Sequence, residues 1–183
     1  MAQIRRTMWM PSFLTCHVER MLQRRAREGY KLVSVESEMG LYTFSFESAV
    51  PQAARFYVYK QDDLKRWGAY GVSPACSAKE EMGPYCEEML ECDGFSFVGR
   101  IREDVPDGVL RDAVAKRMKN TARYHMECFV VWIILPIAIQ IVNLLSNTPW
   151  RWWNTAVGVL LMGAIYLYHL IAAAVSFFWG RAA

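Results

Sequence analysis

Apolar residues follow two different patterns along this chain, and the change comes near residue 127. Beyond it they run almost unbroken. Residues 128–145 (CFVVWIILPIAIQIVNLL) and 155–178 (TAVGVLLMGAIYLYHLIAAAVSFF) carry no charge. At 1.5 Å per residue they reach roughly 27 Å and 36 Å, against a hydrocarbon core of roughly 30 Å. They predict a transmembrane hairpin, with spans at 127–146 and 155–179, an extracytoplasmic loop at 147–154 and a cytosolic tail at 180–183. The loop holds Trp150, Trp152 and Trp153 as anchors for one interface, and Tyr124 and Trp179 mark the other. Pro136 is expected to kink the first span. Gln140 and Asn143 are read as near-interface polar groups or helix-packing contacts, and His169 as a neutral, hydrogen-bonded residue of the packed hairpin, level with Trp132.

Before residue 127, apolar positions alternate with polar ones. QIRRTMWM (3–10) reads as a strand. Phe13 or Leu14, Val18, Met21, Leu22 and Ala26 then fall at helical spacing, with Arg20, Arg24 and Arg27 on the opposite side. Gly29 is placed to end that helix as a left-handed cap. YKLVSV (30–35) and LYTFSF (41–46) alternate with period two, and Glu38-Met39-Gly40 between them predicts a hairpin. RFYVYK (55–60) is a third strand, followed by a long loop at 61–78. A second helix is expected over residues 79–92, capped by Gly94, before a strand at 95–100. A third, basic helix at 109–124 leads into the first span. The order β-α-β-β-β-α-β predicts an α+β cytosolic domain at 1–105. It has a ferredoxin-like layout: an antiparallel sheet of four or five strands with two helices on one face. Helix, Gly and aromatic residue recur at Gly29-Tyr30 and Gly94-Phe95, 65 residues apart, as an internal echo.

Charge fixes the expected orientation. Of 39 charged residues, only Arg151 and Arg181 lie beyond residue 127. Arg111, Lys116, Arg117, Lys119 and Arg123 precede the first span, and Arg151 alone sits in the loop. That bias puts the domain and C-terminus in the cytosol. Residues 106–126 then form a juxtamembrane helix whose five basic residues face anionic lipid. MAQIRRTMWMPSF has no apolar core of a signal peptide. Within the domain, residues 1–31 are net +5 and residues 76–110 net −6, a polarity suited to docking or self-association.

Candidate chemistry is sparse. The five cysteines include no CxxC pair, and no metal-ligand spacing is present. Cys16 and His17 are adjacent on a helix and point apart, so they form no nucleophile–base pair. Glu80, Glu81, Glu87, Glu88 and Glu91 read as one solvated helix face. Tyr42, Phe44 and Phe46 read as core rather than a nucleotide-stacking platform. No catalytic, cofactor or metal site is expected, and no nucleic-acid partner.

Several residues resemble a known family. Met21-Leu22, then Ala26-Arg27-Glu28-Gly29-Tyr30-Lys31-Leu32, is followed by Tyr42-Thr43-Phe44, Phe56-Tyr57-Val58-Tyr59, Tyr85 and Asp93-Gly94-Phe95. This is similar to the DUF2812 pattern over roughly residues 4–101. Tyr30 and Phe95 stand where Trp is usual, and Glu103-Asp104-Val105-Pro106-Asp107 replaces a W-Y-Y-F strand. The resemblance implies a bacterial, membrane-anchored protein with no known catalytic activity, often encoded beside a PadR-like transcriptional regulator. The expected function is a membrane-anchored cytosolic binding or sensor module, probing a ligand or protein partner. The alternatives are an accessory subunit of a larger membrane complex, such as a transporter, and a membrane-associated enzyme. Expected partners are the lipid bilayer, a regulator or membrane subunit, and a second copy of the chain.

Overall fold

The computed structural model describes residues 3–61, 74–145 and 152–182. The chain is α+β. In order it forms β1 (Gln3–Trp9), a 3-10 turn (Ser12–Leu14), α1 (Thr15–Arg27), β2 (Tyr30–Glu38), β3 (Leu41–Ser48) and β4 (Arg55–Lys60). Then come α2 (Pro74–Met82), a 3-10 turn (Gly83–Tyr85), β5 (Cys86–Glu91), β6 (Ser96–Ile101), α3 (Asp107–Leu145) and α4 (Trp152–Ala182). The strands make two three-stranded antiparallel sheets, β1-β3-β2 and β4-β6-β5, where one sheet of four or five strands was expected. Each sheet is a β-α-β-β unit. The helix carries the chain across, and a hairpin returns its last strand to the middle.

In the first unit the pattern and the fold agree. Met39 (φ 47°) and Gly40 (φ 82°) both take left-handed conformations, the demand of a tight hairpin turn between β2 and β3. Tyr42, Phe44 and Phe46 then project to one face of β3 and are buried. Val18, Met21, Leu22 and Ala26 of α1 pack there with Phe56 and Val58 of β4 and Val98 of β6, so both sheets share this core. Gly29, at φ 85°, follows α1; its N–H reaches the Ala26 carbonyl at 3.1 Å and its carbonyl accepts from Ala49 at 2.8 Å.

The second unit departs from expectation. The helix expected over 79–92 ends at Met82, because Gly83 and Pro84 cannot extend it, and residues 86–91 form β5. Gly94 is therefore no helix cap. It lies between β5 and β6 at φ 68°, beside Asp93, whose carboxylate accepts from the Phe95 N–H and the Ser96 hydroxyl. Its structural counterpart is Gly40, not Gly29, so the echo at 65 residues was out of step with the true repeat. The five glutamates are split between a helix and a strand. Glu81 pairs with Lys116, Glu87 with Arg100, Glu88 with Lys31 and Glu91 with Lys79.

The far face of the second sheet makes another core. Tyr57, Phe97 and Ile101 pack with Met82, Val105 and, from α3, Val109, Leu110, Ala113 and Val114. The packed domain thus continues past residue 105. The 39-residue α3 runs without a break from this core into the expected first span. α4 packs along it antiparallel: Gly180 lies against Met118, His169 against His125, and the Tyr166 hydroxyl donates to the Trp132 carbonyl. Among the described residues, one stretch of 20, Met162–Arg181, with mean hydropathy 1.5, is long and apolar enough to cross a membrane.

Candidate functional site

Two buried polar clusters tie the domain to the long helices. The first joins α1, β4 and α3. The Arg117 guanidinium lies 2.6 Å from one Glu19 carboxylate oxygen and 3.2 Å from the other. It also donates to the Val58 carbonyl and, at 3.3 Å, to Cys16 Sγ, and it stacks 4.7 Å from the centre of the Tyr57 ring. The Val58 N–H donates to Glu19 at 2.8 Å. Glu19 is 6% exposed and Arg117 5%. A pair so removed from water keeps its charge only through mutual neutralisation and hydrogen bonds. Burial alone would lower the Arg117 pKa, yet the Glu19 carboxylate holds it above its usual value. Burial pushes the Tyr57 hydroxyl up to about 12 against the opposing pull of Arg117. It raises the Cys16 thiol in the same way, so neither is poised as a nucleophile at neutral pH.

The second cluster lies about two turns further along α3. His125 and His169 face each other, Nδ1 to Nδ1, at 2.9 Å, so one donates and the other accepts. Around them stand Phe13 from the first 3-10 turn, Tyr124 and Tyr168, with ring centroids 5.1–5.8 Å from His125. Trp9 closes the group, 6.5 Å from Phe13 and 6.3 Å from Tyr168. Nearer its C-terminus α4 meets α1, where the Arg20 guanidinium sits 4.1 Å over the Trp179 ring. The last three turns of α4 therefore rest on the domain.

The five basic residues of the expected membrane surface do not act together. Arg117 is in the core. Lys116 bridges to Glu81 on α2 at 2.8 Å. Arg123 pairs with Glu127 one turn on, and Arg111 and Lys119 are exposed. Of the expected interfacial anchors, Tyr124 is buried beside His125 and Trp179 faces Arg20. Trp150 lies outside the described residues, as do the side chains of Trp152, Trp153, Pro136, Gln140 and Asn143. His169 is hydrogen-bonded as expected, though to His125 rather than level with Trp132. Phe13 belongs to the stripe expected of α1, whereas Glu19 and His125 had no expected role. Glu19 had a signal: it interrupts the apolar stripe of α1 between Cys16 and Leu22, as Arg117 interrupts that of α3 between Val114 and Thr121.

Concavities lie elsewhere on the domain. A cavity of about 10 Å³ between the sheets, bordered by Lys31, Gln52, Glu88 and Arg100, has room for about one water. An open groove of about 600 Å³ runs past Arg27, Arg55, Glu103, Asp104 and Asp107, a lining of mixed charge. Arg55 there fastens the loop that enters α3, bonding Asp107 at 2.6 Å and the carbonyls of Arg102 and Val105 at 2.8 Å. Among the described residues no three His, Cys, Asp or Glu side chains converge to hold a metal ion. Scans against family models, curated proteins and solved structures each return no match.

Proposed function

We propose that this chain is a membrane-anchored module whose α+β domain lies in the cytosol and reports on, or is held by, the state of its helices. One observation carries this reading. α3 is one continuous helix, with Arg117 and Met118 buried in the domain and Val130, Val131, Ile134, Ile137 and Ile141 exposed further along. So much exposed apolar surface on one helix pair demands a nonaqueous neighbour. A displacement of α3 in the bilayer would reach Glu19 through Arg117.

In this reading both helices cross the bilayer. The pairing of His125 with His169 and Met118 with Gly180 shifts the spans from those expected. Residues 128–145 and 152–170 become level, at roughly 27 Å and 28 Å, and residues 171–181 stay with the domain. The similarity to DUF2812, and with it a regulatory role beside a transcriptional regulator, belongs to the same proposal. No group suited to catalysis enters it.

Topology is tested by single-cysteine labelling in intact cells. A membrane-impermeant reagent is expected to reach a cysteine at Asn147 and to miss one at Asp107 or Ala183. Labelling of the last two from outside would overturn the reading.

A further inference from the structure

We propose that the end of the first sheet beside the helices, formed by Trp9, Met39 and Leu41, rests in the headgroup–acyl boundary of the lipid bilayer as a third point of membrane contact. The inference deepens the membrane-anchored reading and rests on it.

Trp9 is 52% exposed, Leu41 48% and Met39 99%. Trp9 and Leu41 are register partners across β1 and β3, and Met39 is in the turn that immediately precedes Leu41. Outside α3 and α4, the other exposed large apolar residues among those described are Val33 and Val50. Three of these five are thus gathered at one end of one sheet. That end is the one facing the helices, because Trp9 touches Tyr168 and Phe13 touches both Tyr168 and His125. Tyr168 sits on α4 among exposed Leu167, Leu170 and Ile171. The patch therefore continues the apolar surface of the helix pair, at the level where α3 leaves the domain.

The chemistry fits a lipid surface. Trp places an apolar ring and one N–H donor at such a boundary, and Met is a flexible apolar side chain that needs no shaped partner. A convex turn offers no groove to a peptide, whereas a bilayer requires none. Arg5 and Arg6, exposed four and three residues before Trp9 on β1 and so roughly 10–13 Å behind it, place positive charge on the headgroup side of the contact. Glu38 on β2 is the register partner of Leu41, and Glu36 pairs with Thr43 further back; both are exposed, and keeping their carboxylates in water holds the contact shallow.

The test uses the full chain in vesicles of phosphatidylethanolamine and phosphatidylglycerol. An environment-sensitive fluorescent amino acid replaces Met39, Val50 or Ile134 in turn. Val50 lies past the opposite end of β3, and Ile134 is on α3. Quenchers are a doxyl group on the lipid and iodide in the water. The expected result is several-fold stronger lipid quenching at positions 39 and 134 than at 50, with position 50 open to iodide. Lipid quenching at 134 but not at 39 would overturn the third contact and leave the membrane anchor standing. If position 39 were then also shielded from iodide, a protein would be the occupant instead. Absence of lipid quenching at both 39 and 134 would overturn the anchor and the contact together.

Discussion

Glu19 and Arg117 are 98 residues apart in sequence and 2.6 Å apart in the core, and this one ion pair joins α1, β4 and the long helix α3. It is the point where a motion of α3 would enter the domain. Removing one partner leaves the other charged and buried.

Arg117→Met is accordingly expected to cost about 3–5 kcal/mol, since among the described residues the Glu19 carboxylate then keeps only the Val58 N–H as a donor. Glu19→Gln with Arg117→Met removes both charges, retains the acceptor for Val58 and is expected to recover most of that loss. Thermal unfolding in mild detergent measures all three chains. Equal stability of the single and double variants would show that the unpaired Glu19 charge is not the source of the loss.

Stability is expected to fall with acid through His125. Burial, and secondarily the adjoining His169 imidazole, hold its pKa down at about 4, against 6.5 when exposed. The unfolded chain therefore takes up the proton first. The contribution is complete above about pH 6.5 and is lost as pH falls through about 4, for a total of about 3 kcal/mol. His125→Asn is expected to flatten that slope. Unfolding midpoints of the two chains between pH 4 and 7 give the comparison.

Two glycines with the same sign of φ are expected to respond differently. At Gly29 a Cβ would meet the Ala49 carbonyl oxygen at 3.0 Å and Pro51 at 3.3 Å, whereas at Gly94 nothing lies within 4 Å. Asn tolerates left-handed backbone, so Gly94→Asn is expected to be close to neutral. Gly29→Asn adds a steric clash, and Gly29→Val adds the β-branched penalty, for a loss of 1 kcal/mol or more, about the cost of a forced left-handed residue. Chemical denaturation of the three variants ranks them.

Truncation locates the folding unit. A chain ended at residue 105 lacks Arg117 and uncovers Tyr57, Phe97 and Ile101, so no cooperative unfolding is expected of it. A chain ended at residue 126 keeps the ion pair and both cores, and a single sigmoidal transition by circular dichroism is expected. The reverse order would place the boundary before α3.

The sequence by itself determined the elements whose pattern is local. The α1 stripe and the β2–β3 hairpin at Met39-Gly40 follow from spacing within a dozen residues or so, and the helix α4 from an uncharged run of 24, because side-chain period, turn conformation and local composition are properties of neighbours. It also determined that the chain combines an α+β part with a helix apolar enough to cross a membrane. Only the tertiary structure decided the rest. Residues 86–91 have the composition of an acidic helix, but pairing with β6 made them a strand. Two sheets replaced one because each hairpin closed on its own first strand. Arg117 could be read as a lipid-facing charge until α1 supplied Glu19, and His169 as a lone histidine until α3 supplied His125. In both cases the partner lies 44 or more residues away, and no local pattern encodes which distant side chain will remove a charge from water.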